Sequence, residues 1–226
     1  MAGTLVEALG AADKIKGSGI AIAPGVVMDN INLLLEGKVL VRIPSLPSFQ
    51  PWARMVSVGG GSGRGFMWLP QVGDEVLVAF DENDETDAYV IGGLWNTVDR
   101  PPAIVPTDFV SKRILKTGLV GGLGHTVEFD DALQSITITT STQQKVTLNP
   151  TKMALSTAGG AMSITLDLAA VPPAVSVQVL TGNISLSAPA GKIALDALEI
   201  ELQADTSVTI GSLGPCSVQG LPIKLN

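Results

Sequence analysis

Aromatic residues make up 4% of the 226-residue chain, and charged residues only 15%. Aromatics usually carry much of a thick globular core. Here the 46% hydrophobic content is mostly Ala, Val, Leu and Ile, and there are 25 glycines. That mixture suits many short strands and turns. One cysteine, Cys216, excludes an intrachain disulfide, and nothing implies folding in an oxidising compartment. One histidine, His125, excludes a paired-histidine metal site. Basic residues are outnumbered, 14 Lys+Arg to 21 Asp+Glu, for a net charge of −7. A general nucleic-acid binder would need a basic face to neutralise phosphates, so none is expected as a partner. No apolar run reaches the roughly 18 residues of a membrane span. The best, Gly19 to Met28, is short and contains Pro24. Glu7, Asp13, Lys14 and Lys16 stand where a secretory signal would be apolar, so synthesis as a soluble cytosolic protein is expected.

What is present divides the chain into four. Residues 1–18 form an N-terminal segment, helical or extended, with apolar residues Leu5, Ala8, Leu9, Ala12 and Ile15 at helical spacing before Gly17-Ser-Gly19 breaks the pattern. Residues 19–104 read as β. Ala21-Ile-Ala opens a strand, and Pro24-Gly25 looks like a turn. Val39 to Ile43, Trp52 to Val56, Asp74 to Phe80 and Ala88 to Ile91 are further strands, the last two separated by an acidic hairpin loop, Asp81 to Asp87. Strands of this number and length suit a small OB-type barrel. Residues 105–132 form a linker and collar, announced by Pro101, Pro102 and Pro106.

From residue 133 to 226 short alternating segments recur. Ile136-Thr-Ile, Val146-Thr-Leu, Met153-Ala-Leu, Ile164-Thr-Leu and Val175-Ser-Val are followed by Ile184-Ser-Leu, Ile193-Ala-Leu, Ile200-Glu-Leu, Val208-Thr-Ile and Ser217-Val218. The last five advance by 9, 7, 8 and about 10 residues, one three-residue strand and one turn each. Such a strand offers only two side chains to one face. A single chain coiling on itself needs a longer repeat to go round once. Three chains wound together supply three faces and a narrow aliphatic core, and closure about an axis removes open sheet edges. A β-sandwich would instead predict core aromatics and Asn-Gly or Asp-Gly turns. The fold class expected is therefore all-β: an OB-fold barrel followed by an intertwined trimeric β-helix, a needle.

Two stretches carry a family resemblance. Arg64-Gly-Phe-Met-Trp-Leu-Pro-Gln-Val-Gly-Asp-Glu-Val-Leu-Val-Ala-Phe80, with Ala88-Tyr-Val-Ile-Gly-Gly-Leu-Trp-Asn96 and Pro101-Pro102, resembles the OB domain of phage baseplate assembly protein V and of VgrG spikes. Ser111-Lys-Arg-Ile114 through Gly124 to Asp131 resembles the collar at the start of their β-helix. The resemblance implies a homotrimeric central spike on the axis of a contractile tail. Such a spike sits on a hub at its N-terminal side and is driven through the target cell envelope on sheath contraction. The implied location is the virion tail baseplate or an extracellular phage-tail-like particle.

Departures from that family shape the expectation further. Full-length VgrG chains carry a large hub domain ahead of the barrel, whereas fewer than 20 residues precede the first strand here, so a separate hub protein is expected. That favours a phage tail over a type VI system; a tailocin or extracellular injection system is the alternative. Leu5, Leu9 and Ile15 are the candidate hub contacts. The apolar end, Leu221, Pro222, Ile223, Lys224, Leu225 and Asn226, is the candidate platform for a PAAR-type tip protein.

Chemistry is harder to find. Gly59-Gly-Gly-Ser-Gly-Arg-Gly65 lacks the Gly-Lys-Ser/Thr ending of a phosphate loop and reads as a flexible loop. His125 has no evident nucleophile or metal partner, and Asp130-Asp131 reads as a turn. The 81–87 run lacks the ligand pattern of a calcium loop. Cys216 reads as a buried small hydrophobe. No catalytic residue, cofactor or metal is assigned, and the expected protein is not an enzyme. An OB-fold binding module for nucleic acid or sugar is the rival class. It would use Trp52, Phe66, Trp68 and Trp95, which otherwise pack the barrel or the trimer interface.

Overall fold

The computed structural model describes residues 21–34, 36–81, 84–103, 105–118 and 124–223. Compact units divide at Thr181: Met1–Thr181 and Gly182–Asn226. The expected hub contacts Leu5, Leu9 and Ile15, and the terminal Lys224, Leu225 and Asn226, lie outside the described residues.

Five strands close a barrel: β1 (Ala21–Asp29), β2 (Lys38–Arg42), β3 (Trp52–Met55), β4 (Glu75–Asp81) and β5 (Asp84–Gly93), in the order β1-β2-β3-β5-β4. All pairs are antiparallel except β3 with β5. Strict alternation builds the core. Val39 and Val41 of β2, Val76, Val78 and Phe80 of β4, and Ala88 and Val90 of β5 point inward and are buried, joined by Val27, Ile43 and Ala53. Small branched side chains fill so narrow a barrel. The three tryptophans take no part in that core. Trp52, Trp68 and Trp95 are all exposed, which removes barrel packing as their role.

Pro24-Gly25 is not a turn, as the sequence suggests, but the middle of β1. Pro24 sits where β1 has only β4 beside it, and pairing with β2 begins at Val26, so the missing N–H interrupts no second ladder. Gly25 is required by space. A Cβ there would lie 2.4 Å from Val41 Cγ1.

Beyond the barrel a short helix, α1 (Asp108–Ser111), leads into seven antiparallel strands. These are β6 (Lys112–Lys116), β7 (Thr126–Asp130), β8 (Ser135–Thr139), β9 (Lys145–Leu148), β10 (Lys152–Ser156), β11 (Met162–Asp167) and β12 (Ala174–Val179). They form one meander in chain order. Collar and first repeats thus share a sheet that begins at Lys112. In the single chain this meander, not a β-helical coil, is what residues 112–179 form. The repeats from Ile184 onward lie in the second unit, whose described residues form no strand and, half-buried Ala188 apart, are exposed.

Candidate interaction surfaces

The sheet register sorts side chains by face. Cross-strand partners share a face, so Phe129–Ile136–Leu148–Met153–Leu166–Val175 form one continuous row across β7 to β12. Val127–Ile138–Val146–Leu155–Ile164–Val177 form the row beside it. The opposite face carries Glu128–Thr137–Thr147–Ala154–Thr165–Ser176. Burial is inverted relative to a globular sheet. In β8 the isoleucines are exposed and the Ser and Thr residues half-buried. Ile164 is 42% exposed and Val177 54%. An apolar face of this extent marks a surface made to be covered.

The polar face is tied down at its start. Lys112 Nζ lies 3.3 Å from Glu128 Oε1 and 3.5 Å from Asp108 Oδ1, with buried Asp130 at 3.9 Å. The hydrogen bond with Glu128, ahead of the nearby negative charge, raises the Lys112 pKa. Asp130 Oδ1 accepts from the Leu133 N–H at 2.9 Å, so the Asp130-Asp131 turn forms as expected. His125 serves the neighbouring turns: its carbonyl accepts from the Thr117 N–H, and its Nδ1 accepts from the Ser141 N–H at 3.3 Å.

On the barrel, the parallel β3–β5 register sets Arg54 opposite Tyr89. Arg54 donates to Asp87 Oδ1 at 2.7 Å and to the Tyr89 hydroxyl, and its guanidinium lies 4.5 Å from the Tyr89 ring centroid. Hydrogen bonds, from Arg54 first and then Tyr89, hold the Asp87 carboxyl below the usual range. Donating that bond to Asp87 raises the Tyr89 hydroxyl in turn. No sequence signal marks this trio, because the parallel pairing alone brings it together.

The glycine-rich stretch is closed as a hairpin. Gly61 and Arg64 exchange backbone hydrogen bonds, the Phe66 N–H donates to the Val58 carbonyl at 3.0 Å, and Ser57 Oγ donates to the Phe66 carbonyl at 2.6 Å. Phe66 stacks on Trp68, centroids 5.6 Å apart and planes 8° from parallel. An open groove of about 820 Å³ lies on the hairpin side of this pair, and one of about 550 Å³ on the Trp95 side. Trp95 is held out by its own loop. Asn96 Nδ2 donates to Glu75 Oε2 at 2.9 Å, and Asn96 Oδ1 accepts from the N–H groups of Val98 and Asp99.

Of the expected tip residues, Leu221, Pro222 and Ile223 are described, exposed and outside any strand. Cys216 is exposed, not buried, because its segment forms no strand in the single chain. Among the described residues no cluster of three His, Cys, Asp or Glu could hold a metal, and no helix is long and apolar enough to cross a membrane.

The fold is thus a five-stranded OB barrel leading into β-repeats with an uncovered apolar face. Residues 23–95 match the family described as the type VI secretion system/phage-baseplate injector OB domain. The match runs from within β1 to just beyond β5. The chain is 28% identical over 125 residues to the type VI secretion system spike protein VgrG3 of Vibrio cholerae, covering 52% of this chain and 12% of that protein. It is 26% identical over 129 residues to both VgrG2a and VgrG2b of Pseudomonas aeruginosa, covering 54% of this chain and 15% and 13% of those proteins. The match therefore spans only a small part of the length of these curated relatives.

Proposed function

We propose that this protein is the central spike of a contractile injection apparatus, a phage tail baseplate or a related type VI or tailocin particle, and that it works as a homotrimer. The observation that carries this reading is the uncovered apolar face of β7–β12, continued by the strandless repeats after Ile184. Each repeat keeps its two-residue apolar pattern but has no strand beside it in the single chain. Partner copies of the same pattern supply the missing pairing and cover the face, winding residues 133–226 into a needle.

In this reading the N-terminal side, with Leu5, Leu9 and Ile15, meets a hub, and Leu221 to Asn226 seat a PAAR-type tip. The role is mechanical and not enzymatic. Three interwound chains separate only by breaking many strand hydrogen bonds together, which makes unfolding slow and suits a part driven through an envelope. An OB-fold ligand module is the second reading, favoured by the exposed Phe66, Trp68 and Trp95. Light scattering on a sizing column tests the first. A mass three times that of the chain supports the spike, and a monomer refutes it.

A further inference from the structure

The two grooves of the barrel adjoin at the Phe66–Trp68 stack, which lines both, and share Met55, Val56 and Ser57 as well. Their charges differ in sign. The hairpin side presents Arg64, which among the described residues has no ion pair and no side-chain hydrogen bond, while its neighbour Lys38 is already paired with Glu36 at 2.8 Å. The Trp95 side is rimmed by Asp74, Glu75 and Asp99 against a single cation, Arg100, whose Nε donates to the Thr97 carbonyl. Of that rim, Asp74 caps the Gln71 N–H and Glu75 anchors Asn96. Asp99 has the weaker commitment, accepting from Asn96 Nδ2 at 3.3 Å. Both sides are apolar beneath: Met67 is 87% exposed and Trp95 70%.

We propose that the glycine hairpin of one barrel docks against the Trp95-side groove of the next copy, bringing Arg64 to Asp99. This rests on the trimer proposed above and names the surfaces that join its barrels. A contact between unlike faces, repeated by a three-fold rotation, closes a ring and leaves no groove open. A contact between like faces sets Arg64 against Arg64 or carboxylate against carboxylate, which is repulsive. The hairpin is suited to entering a groove: its glycines present little bulk, and hydrogen bonds at its mouth hold its form before contact. The Trp95 loop is likewise preset by Asn96.

The test is a full-length chain with Cys216→Ser, Arg64→Cys and Asp99→Cys, oxidised with diamide and run boiled on a non-reducing denaturing gel. Most of the protein is expected as a covalent trimer, and Arg64→Cys with Cys216→Ser alone is expected to stay uncrosslinked. A monomer band from a sample that scatters as a trimer overturns this inference while sparing the spike reading. A covalent dimer from the single-cysteine chain overturns it too, because like faces would then meet. A parent chain that scatters as a monomer overturns both. If only the cysteine variant fails to assemble, the charge swap decides: Arg64→Asp should lower the temperature at which the trimer band is lost in SDS, and adding Asp99→Arg should restore it. Additive weakening in the double variant would refute the contact.

Discussion

Replacing Ile164 by alanine separates a covered sheet face from a solvated one. Ile164 stands on the apolar face between Leu155 and Val177, and is 42% exposed in the single chain. Fully burying an isoleucine is worth about 1.5–3 kcal/mol, so covering the remaining two-fifths adds roughly 1 kcal/mol per chain. A cavity term joins it once the site is packed, and truncations to alanine in such sites cost about 2–5 kcal/mol. Taking about 2 kcal/mol per chain, three copies weaken assembly by about 6 kcal/mol, roughly four powers of ten in the association constant. Its neighbour Thr165 lies on the polar face, so Thr165→Ala should stay within about 0.5 kcal/mol. The assay is denaturant unfolding at several protein concentrations, with each sample incubated until its signal stops changing. Equal, small effects from both substitutions would refute the covered face.

Three further outcomes follow. Gly25→Ala should destabilise the barrel by about 1–3 kcal/mol, because its Cβ would lie 2.4 Å from Val41 Cγ1; adding Val41→Ala should recover part of it in urea unfolding, and a neutral Gly25→Ala refutes the tight fit. The Arg54–Asp87–Tyr89 trio supplies stability above the unfolded carboxylate pKa of about 3.9, lost as pH falls through the lower folded value, since Asp87 is held down. An NMR titration of the Asp87 carboxyl with a midpoint at or above the ordinary value would refute that, and Asp87→Asn should flatten the acid limb of the stability profile slightly, since the group is exposed. The unheated protein should run as a trimer in SDS at room temperature, whereas a monomer band would count against interwound chains.

Much of the barrel was legible because its strands alternate strictly. Lys38 to Arg42 and Glu75 to Asp81 place valines inward at every second position, and period two is a local signal. Pro24-Gly25 misled because both residues mark turns in isolation. Their use in β1 depends on what lies beside them, an absent second ladder for Pro24 and the Val41 side chain for Gly25. The repeats to Val175 were legible as strands, yet their pairing into one meander with β6 and β7 was not, since register is a property of two strands. The Arg54 trio and the two grooves were out of reach for the same reason. Arg54 and Tyr89 meet only through parallel pairing, and the opposite charges of the grooves emerge only after the hairpin folds over Phe66 and Trp68. Nor does composition say which tryptophans are core. Valine and isoleucine fill a barrel this small and leave all three outside.

Along the chain the need for a partner rises in steps. The barrel has its own core, with Val27, Val39, Val41, Val76, Val78 and Val90 fully buried. The sheet from Lys112 to Val179 pairs its inner strands on both sides but leaves its apolar face uncovered. From Ile184 onward the described residues form no strand, and their hydrogen bonds are local, from the Gly191 N–H to the Ala188 carbonyl and from the Gly214 N–H to Ser212 Oγ. Hydrogen bonds missing from a strand and apolar groups left in water both weigh against an ordered single chain, so in the proposed trimer the last segment would gain its order from assembly. This fixes an order of events for the proposed trimer. Barrels form first, their meeting raises the local concentration of the repeats, and the repeats pair last. A barrel interface that aligns three chains in one register therefore matters most for the segment furthest from it, because a one-residue slip between partner strands would turn every isoleucine outward.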